Sequence, residues 1–460
     1  MEYTELSAYP LPDGTLTTWA PVCEKASWHD DERGISYDHE AHLRDAVPGA
    51  WIGSVMRIPL RYDAGAVRRA LRAWIARHEA LRTTVRSTGG ENPGWQRRSV
   101  AATEVDVRAE ERGNVTTNTA HDVLTEYFAA VSPSSWPHCL FATVTEPGGA
   151  AFTVAFGADH SVMDAYSQLL WFQEFHSLYS RALSGEHDTA LAAAEVGSHV
   201  DHSAAARSLA AVIDEQDPAV RRWHEFLAGP EDYRFPGYPA AAGSAGDPGM
   251  PQHSLSRWAI GPEDAERLER LCRGLGTGTQ SGALAALALA ARSLTGDTRL
   301  PFVMPMHTRH EREHADAVGW YVGLCPVAIE LGAAPDFAGA VAQARAAVSG
   351  ARGCAKTSFS RTADILGIED TPRFVVSYVD VRGVPGATRW PEWNARALRS
   401  PEPSRDEVYL WLVHSAHGIS VSARCARSDH ALAAVEELID GFATQVREAV
   451  AVEVELEVGA

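Results

Sequence analysis

Residues 152–170 read FTVAFGADHSVMDAYSQLL, and this stretch decides what kind of chain folds here. FTVAF is a short β-prone run. After Asp164, Leu169, Leu170, Phe172, Phe175, Leu178 and Tyr179 recur at helical spacing as far as Leu183. Between the two lies an H-x-x-x-D unit, His160 and Asp164, at a strand-to-helix junction. Such a junction lets an imidazole face a cleft while the carboxylate folds back into the protein and anchors the loop on an arginine. A neutral imidazole so placed can serve as general base toward a hydroxyl or an amine. Spacing alone favours the plainer reading, a loop histidine beside a helix N-cap aspartate.

Upstream, residues 139–145 and 151–155 are β-prone and are joined by Glu146-Pro147-Gly148-Gly149, which predicts a hairpin. Val67, Leu71, Trp74 and Ile75 fall on one helical face, with Arg68, Arg69, Arg72 and Arg77 mostly on the other. Residues 229–251 are rich in Pro, Gly and Ala without periodicity and read as a linker between halves. The pattern then restarts. Helices are predicted over 262–272, 281–294, 337–347 and 430–451, the first opened by Pro262 and the second stopped by Gly296. Strands are predicted over 300–306, 322–331, 373–381, 408–414 and 418–423. No fixed-period repeat is visible. The expectation is a mixed α/β chain of two similar layers built one after the other.

At roughly 150 residues per domain, 460 residues suggest two or three domains. Hydrophobic content of 45% with 13 Trp excludes general disorder. A net charge of −19 argues against nucleic acid or an anionic membrane as main partner, since both require clustered positive charge. Cys23, Cys139, Cys272, Cys325, Cys354 and Cys425 are scattered without a C-x-x-C and read as reduced thiols. MEYTELSAYPLPDGTL carries neither a basic nor an apolar leader region, and the longest apolar run, 283–291, is too short to span a bilayer. A soluble, cytoplasmic protein is expected.

Three further motifs compete for function. His310-Glu311-Arg312-Glu313-His314 matches the H-E-x-x-H of zinc hydrolases, but no apolar residue from His307 to His314 would bury a helix face. A solvated charged loop is the favoured reading, and no metal is assigned. Gly274, Gly276 and Gly278 follow a helix rather than a strand, so they read as an interhelical loop and not a dinucleotide cradle. The arginine face, extended by Arg82, is the one positive concentration. It reads as a solvated face, the alternative being a dock for a CoA phosphate or an acidic carrier.

Several segments together resemble the condensation-domain superfamily: nonribosomal peptide condensation domains, chloramphenicol and carnitine acyltransferases, and polyketide-associated (Pap-type) acyltransferases. They are Arg77-His78-Glu79-Ala80-Leu81-Arg82-Thr83, Asp159-His160-Ser161-Val162-Met163-Asp164, and Arg222-Trp223-His224-Glu225-Phe226-Leu227-Ala228-Gly229. The order continues through Leu294-Thr295-Gly296, Val318-Gly319-Trp320-Tyr321-Val322-Gly323 and Val376-Ser377-Tyr378-Val379-Asp380-Val381-Arg382. PLPDGTLTTW, DHSVMDAYS and SYVDVRGVPG are most similar to the stand-alone Pap-type enzymes.

The resemblance implies two chloramphenicol-acetyltransferase-like α/β subdomains in a V, over 1–190 and 253–460, joined by a connecting segment over 191–252. It implies a tunnel between them, with His160 at its centre as general base. Asp164 becomes a structural residue paired with an arginine, best matched by Arg309, and Ser377 and Tyr378 become candidates for the tunnel wall or the oxyanion site. The implied reaction moves an acyl group from a CoA or carrier-protein thioester to a small-molecule hydroxyl or amine in secondary or lipid metabolism. No cofactor is required beyond the CoA or phosphopantetheine thioester as co-substrate, and a monomer is expected. Two positions depart from the family's usual H-H-x-x-x-D-G: Asp159 replaces the first histidine and Ala165 the glycine. They motivate the alternative of a catalytically degenerate relative that binds a carrier domain or small molecule without turnover.

Overall fold

The structure, a computed structural model, describes residues 3–89, 94–191, 195–228, 235, 251–333, 335–368, 372–403 and 407–458. The expected linker over 229–251 therefore lies outside the described residues, Phe235 and Pro251 excepted.

The N-terminal half runs β1 (Tyr3–Glu5), β2 (Gly14–Val22), β3 (His29–Asp31), α1 (Tyr37–Asp45), β4 (Ile52–Ile58) and α2 (Ala64–Arg77). It continues with β5 (Thr83–Ser87), β6 (Trp95–Ser99), β7 (Asp106–Val115), α3 (Thr117–Phe128), β8 (Cys139–Thr145), β9 (Phe152–Ala158) and α4 (Ala165–Leu183). Helices α5 (Asp188–Leu191), α6 (His199–Ala211) and α7 (Pro218–Leu227) lead onward. Then come β10 (His253–Ile260), α8 (Pro262–Gly274), α9 (Thr279–Thr295), β11 (Arg299–His307), β12 (Val322–Glu330), α10 (Phe337–Ala351) and α11 (Phe359–Leu366). The chain finishes with β13 (Phe374–Asp380), β14 (Arg396–Arg399), β15 (Val408–Ser415), β16 (Gly418–Cys425) and α12 (Asp429–Val458).

Two large sheets form, ordered β1-β14-β4-β9-β8-β2-β7 and β10-β16-β15-β13-β11-β12, with a small third sheet β3-β6-β5. The expected β8–β9 hairpin is antiparallel, with Thr145 opposite Phe152. One strand crosses the proposed division of the chain. β14, from the C-terminal half, enters the first sheet, where Ala397 pairs with Ser54 on one side and Tyr3 on the other. The Gln168 amide of α4 locks this exchange by donating to the carbonyls of Gly53 and Leu398, at 2.5 and 3.0 Å.

The amphipathic split of α2 has a direct consequence: Val67, Leu71, Trp74 and Ile75 are all 0% exposed against α4 and the first sheet. Burying each such side chain contributes about 1.5–3 kcal/mol. Trp74 meets Trp171 edge-on at 4.7 Å, and Trp171 stacks on Phe175 at 4.5 Å. In the second half α9 is buried along most of its length, and its alanines are small enough to admit α10 and α12 closely. Gly296, with φ +82°, ends α9 in the left-handed conformation that glycine adopts without strain. Val381, Val384, Trp390 and Trp393 from the C-terminal half pack into the N-terminal core, so the two halves share apolar surface. None of the six cysteines forms a disulfide with another described residue. No helix among the described residues is long and apolar enough to cross a membrane.

Candidate active site

The loop between β9 and α4 is shaped by two capping aspartates. Asp159 accepts from the Ser161 N–H at 2.8 Å and starts a single 3-10 turn over His160–Val162. Asp164 accepts from the Ser167 N–H at 2.7 Å and starts α4. Each cap satisfies a helix-end donor that would otherwise be orphaned. The imidazole of His160 is thereby held between two fixed points. It is partly buried, and its Nδ1 is shut away from solvent with no partner on another residue. Burial, then the neighbouring His42, pushes its pKa below 6.5, while Asp159 and Asp164 pull weakly the other way. The ring is neutral at pH 7 and has a lone pair to offer.

Asp164 and Arg309 come together across the two halves. The guanidinium makes a bidentate pair with the carboxylate, at 2.6 and 3.0 Å, with side chains 4% and 0% exposed. Arg309 also donates to Ser167 Oγ at 2.8 Å and the Ala317 carbonyl at 3.2 Å. Its face lies 4.4 Å from the Tyr321 ring. The Tyr321 N–H completes the carboxylate's partners at 3.0 Å. Burial raises the Asp164 pKa, but Arg309 outweighs it and keeps the carboxyl ionised.

Two more groups join the site: His42, which no motif marks, and Trp320, which the sequence offers only as part of the Val318–Gly323 segment. His42 of α1 brings its Nε2 within 3.0 Å of Asp159 Oδ1, and its ring centroid lies 6.4 Å from that of His160. Trp320, on the approach to β12, closes the set at 5.0 Å from His160 and 5.5 Å from His42. Burial raises the Asp159 pKa, but the hydrogen bonds from His42 and Ser161 hold it below the usual carboxylate range. Asp159, which departs from the family pattern, is thus bonded on both sides.

Trp320 also lines a cavity of about 200 Å³ between α1, α6 and the β11–β12 connection, together with Ser36, His199, His202, Thr308 and Ser358. His160 is not in that lining, so Trp320 stands between the cavity and the catalytic candidate. His199 accepts from the Trp320 N–H at 3.0 Å, and a Cβ on Gly319 would run into its ring. Burial, then Arg97, pushes the His199 pKa down to about 3. Below pH 6.5 the unfolded chain therefore takes a proton that the folded chain refuses, and stability falls with pH until about 3. At pH 5 this one group is expected to cost about 2 kcal/mol relative to neutral pH. Urea unfolding at pH 7 and pH 5 checks it, and His199→Gln should flatten the difference. An unchanged pH dependence in that variant would remove the assignment.

The remaining candidates separate. Ser377 and Tyr378 are neighbours on β13, so they point to opposite faces. Tyr378 packs against the C-terminal core and bonds His414 Nδ1 at 3.0 Å. Ser377 shares the face of Val379, which packs on the N-terminal core. His310 and Glu311 are exposed as expected of a charged loop, but His314 is 7% exposed. Its ring sits 5.2 Å from Tyr321 and 5.3 Å from His202, a burial that a charged run does not suggest. No group of three or more potential ligands among the described residues could hold a metal. Gly276 and Gly278 form the turn between α8 and α9. The arginines of α2 are engaged rather than free: Arg68 with Asp106, Arg69 with Asp188 at 2.6 Å, Arg77 with Glu174 at 2.7 Å. Arg82 donates to the Val100 carbonyl at 2.7 Å.

A family model for the condensation domain matches residues 49–371. Acyltransferase PapA3 of Mycobacterium tuberculosis is 24% identical over 404 residues, which cover 82% of this chain and 83% of that protein. Trehalose-2-sulfate acyltransferase PapA2 of the same organism is 26% identical over 275 residues, 60% of this chain and 56% of that one. Among solved structures, a PapA2 acyl transferase aligns with a TM-score of 0.86 at 22% identity, covering 98% of this chain and all 100% of that chain. The epimerization domain of the third module of tyrocidine synthetase B aligns at 0.70 with 16% identity, covering 92% and 98%. These structural likenesses show the shared fold.

Proposed function

The chain belongs to the condensation-domain family, and on that premise we propose that it is an acyltransferase joining a thioester-activated acyl group to a hydroxyl or amine. The relatives named as acyltransferases support the reaction class. The observation that carries the reading is the neutral, partly buried imidazole of His160 on a loop clamped at both ends. In the proposed reaction that ring takes the proton of the nucleophile as oxygen or nitrogen attacks the thioester carbonyl. It returns the proton to sulfur as the C–S bond breaks, releasing thiol. Activation resides in the thioester, so no resident cofactor enters. Donors for the tetrahedral oxyanion must lie near, and Ser377 is the proposed candidate, being on the face of β13 turned toward the N-terminal half. The two subdomains, 1–190 and 253–460, are proposed to act as the walls of this site.

Donor and acceptor are read by one experiment. Intact-mass analysis of products follows presentation of acyl-CoA and acyl-carrier donors with hydroxyl and amine acceptors, trehalose among them. The expected result is a product heavier than its acceptor by one acyl group, with one thiol released. Absence of product across the whole panel would overturn the reading and favour a degenerate binding protein.

A further inference from the structure

Resting on that acyl-transfer reading, we propose that the cavity between α1, α6 and the β11–β12 connection binds a substrate's polar arm, and that Trp320 gates its passage to His160. Four successive backbone N–H groups hold the segment that carries this tryptophan. Val318 donates to His78 Nδ1 at 3.3 Å and Gly319 to Ser167 Oγ at 3.2 Å. Trp320 donates to His199 Nε2 and Tyr321 to Asp164 Oδ2, both at 3.0 Å. All four acceptors are side chains from earlier in the chain, so the segment is pinned residue by residue. With its backbone fixed, Trp320 yields only by turning its side chain. The residue is half-buried, its ring lies 5.0 Å from His160 and 5.5 Å from His42, and its indole N–H makes no hydrogen bond among the described residues.

The walls of the cavity say what kind of arm fits. His199 Nε2 accepts from a backbone N–H, so the neutral ring carries its proton on Nδ1. That N–H has no partner among the described residues, and the Lys356 ammonium, also on the cavity, makes no ion pair among them. Nearby hydroxyls are already used: Ser358 donates to Asp38 at 2.9 Å, and Thr308 bonds His202 Nε2 at 3.1 Å. The residues around this cavity thus leave three donors over, on His199, Trp320 and Lys356. A ligand that meets them brings acceptor oxygens, from amide carbonyls, ethers, hydroxyls or a phosphate. An alkyl chain in their place would strip water from these donors and offer no bond in return, so the acyl tail belongs elsewhere. Such an arm is either the acceptor or the pantetheine of the thioester, and the test separates the two.

Diethyl pyrocarbonate, which carbethoxylates neutral imidazoles, is followed residue by residue by mass spectrometry of digests, a readout that needs no turnover. The expected result is that His160 reacts at least tenfold faster in Trp320→Ala than in wild type. Trp320→Phe, which keeps a ring on the segment, gains at least threefold. His202, already on the cavity, changes less than twofold, and His78, 1% exposed behind Val318, stays unmodified throughout. Adding Ala206→Trp, in the cavity wall, to Trp320→Ala returns His160 to within twofold of its wild-type rate. In wild type, coenzyme A or the acceptor found in the mass screen slows His202 modification at least threefold, and the compound that does so identifies the arm. An unchanged His160 rate in both Trp320 variants, His78 reacting along with it, an Ala206→Trp that blocks nothing, or protection of His202 by neither compound overturns the inference. Full turnover by His160→Ala would instead defeat the underlying reading and leave these rates as they are.

Discussion

His160→Ala is expected to lower kcat/KM for acyl transfer by about 10²–10⁴-fold, the usual worth of a positioned general base. The loss should be catalytic and not structural. The ring is only partly buried, and its Nδ1 has no partner on another residue, so its removal orphans no buried polar group there. The thermal midpoint should therefore move little, and both substrate KM values should stay close to wild type. The pH profile adds an independent mark. Burial and His42 depress the His160 pKa below 6.5, so the reactive neutral form dominates at pH 7 and is lost only as the pH falls through that lowered value. The acid limb of kcat/KM should lie below pH 6.5 and vanish in the variant along with the activity. A variant retaining more than a tenth of wild-type kcat/KM, or an acid limb above pH 6.5, would sink the assignment.

The β9–loop–α4 unit was legible because its determinants are local: an apolar β run, two aspartates that cap, and a helical period after Asp164. The same holds for α8 and α9, marked by Pro262 and Gly296. What lay beyond reading was set by distant partners. β14 is four residues long and acquires its place from β4 and β1, so no local pattern announces it. Helix α1 reads YDHEAHLRD, polar all round, and its histidines become site residues only because Asp159 and Asp38 clamp it from two directions. The arginine face of α2 was read as solvated. It is exposed to half-exposed, as a solvated face is, and its charges also find Asp106, Asp188 and Glu174 on β7, α5 and α4, partners that only tertiary structure supplies. The aspartate in place of the family's first histidine looked like decay of the motif. With His42 beside it, it reads as a replacement of one polar anchor by another.

Arg309→Ala is expected to destabilise the protein by about 3–5 kcal/mol, the cost of leaving a buried charge without its partner. Asp164 is 0% exposed, and after the truncation the N–H groups of Ser167 and Tyr321 and the Ser167 hydroxyl would be left to face it. Asp164→Asn should cost less, since the amide oxygen keeps an acceptor for the Ser167 N–H while Arg309 retains Ser167 Oγ and the Ala317 carbonyl. Because the two side chains share one bidentate contact, the double variant Asp164→Asn/Arg309→Ala should be more stable than the sum of the single losses allows, by 1 kcal/mol or more. Stability and rate should then part company. Asp164 caps α4 four residues beyond His160, and the ion pair ties that cap to the opposite half, so relieving the buried charge does not restore the loop's anchorage. The double variant is expected to recover stability without recovering kcat. Urea unfolding of the four proteins gives the coupling, and steady-state kinetics on the same preparations give the rate. Additive losses, or an Arg309→Ala protein within 1 kcal/mol of wild type, would show that this pair does not hold the loop.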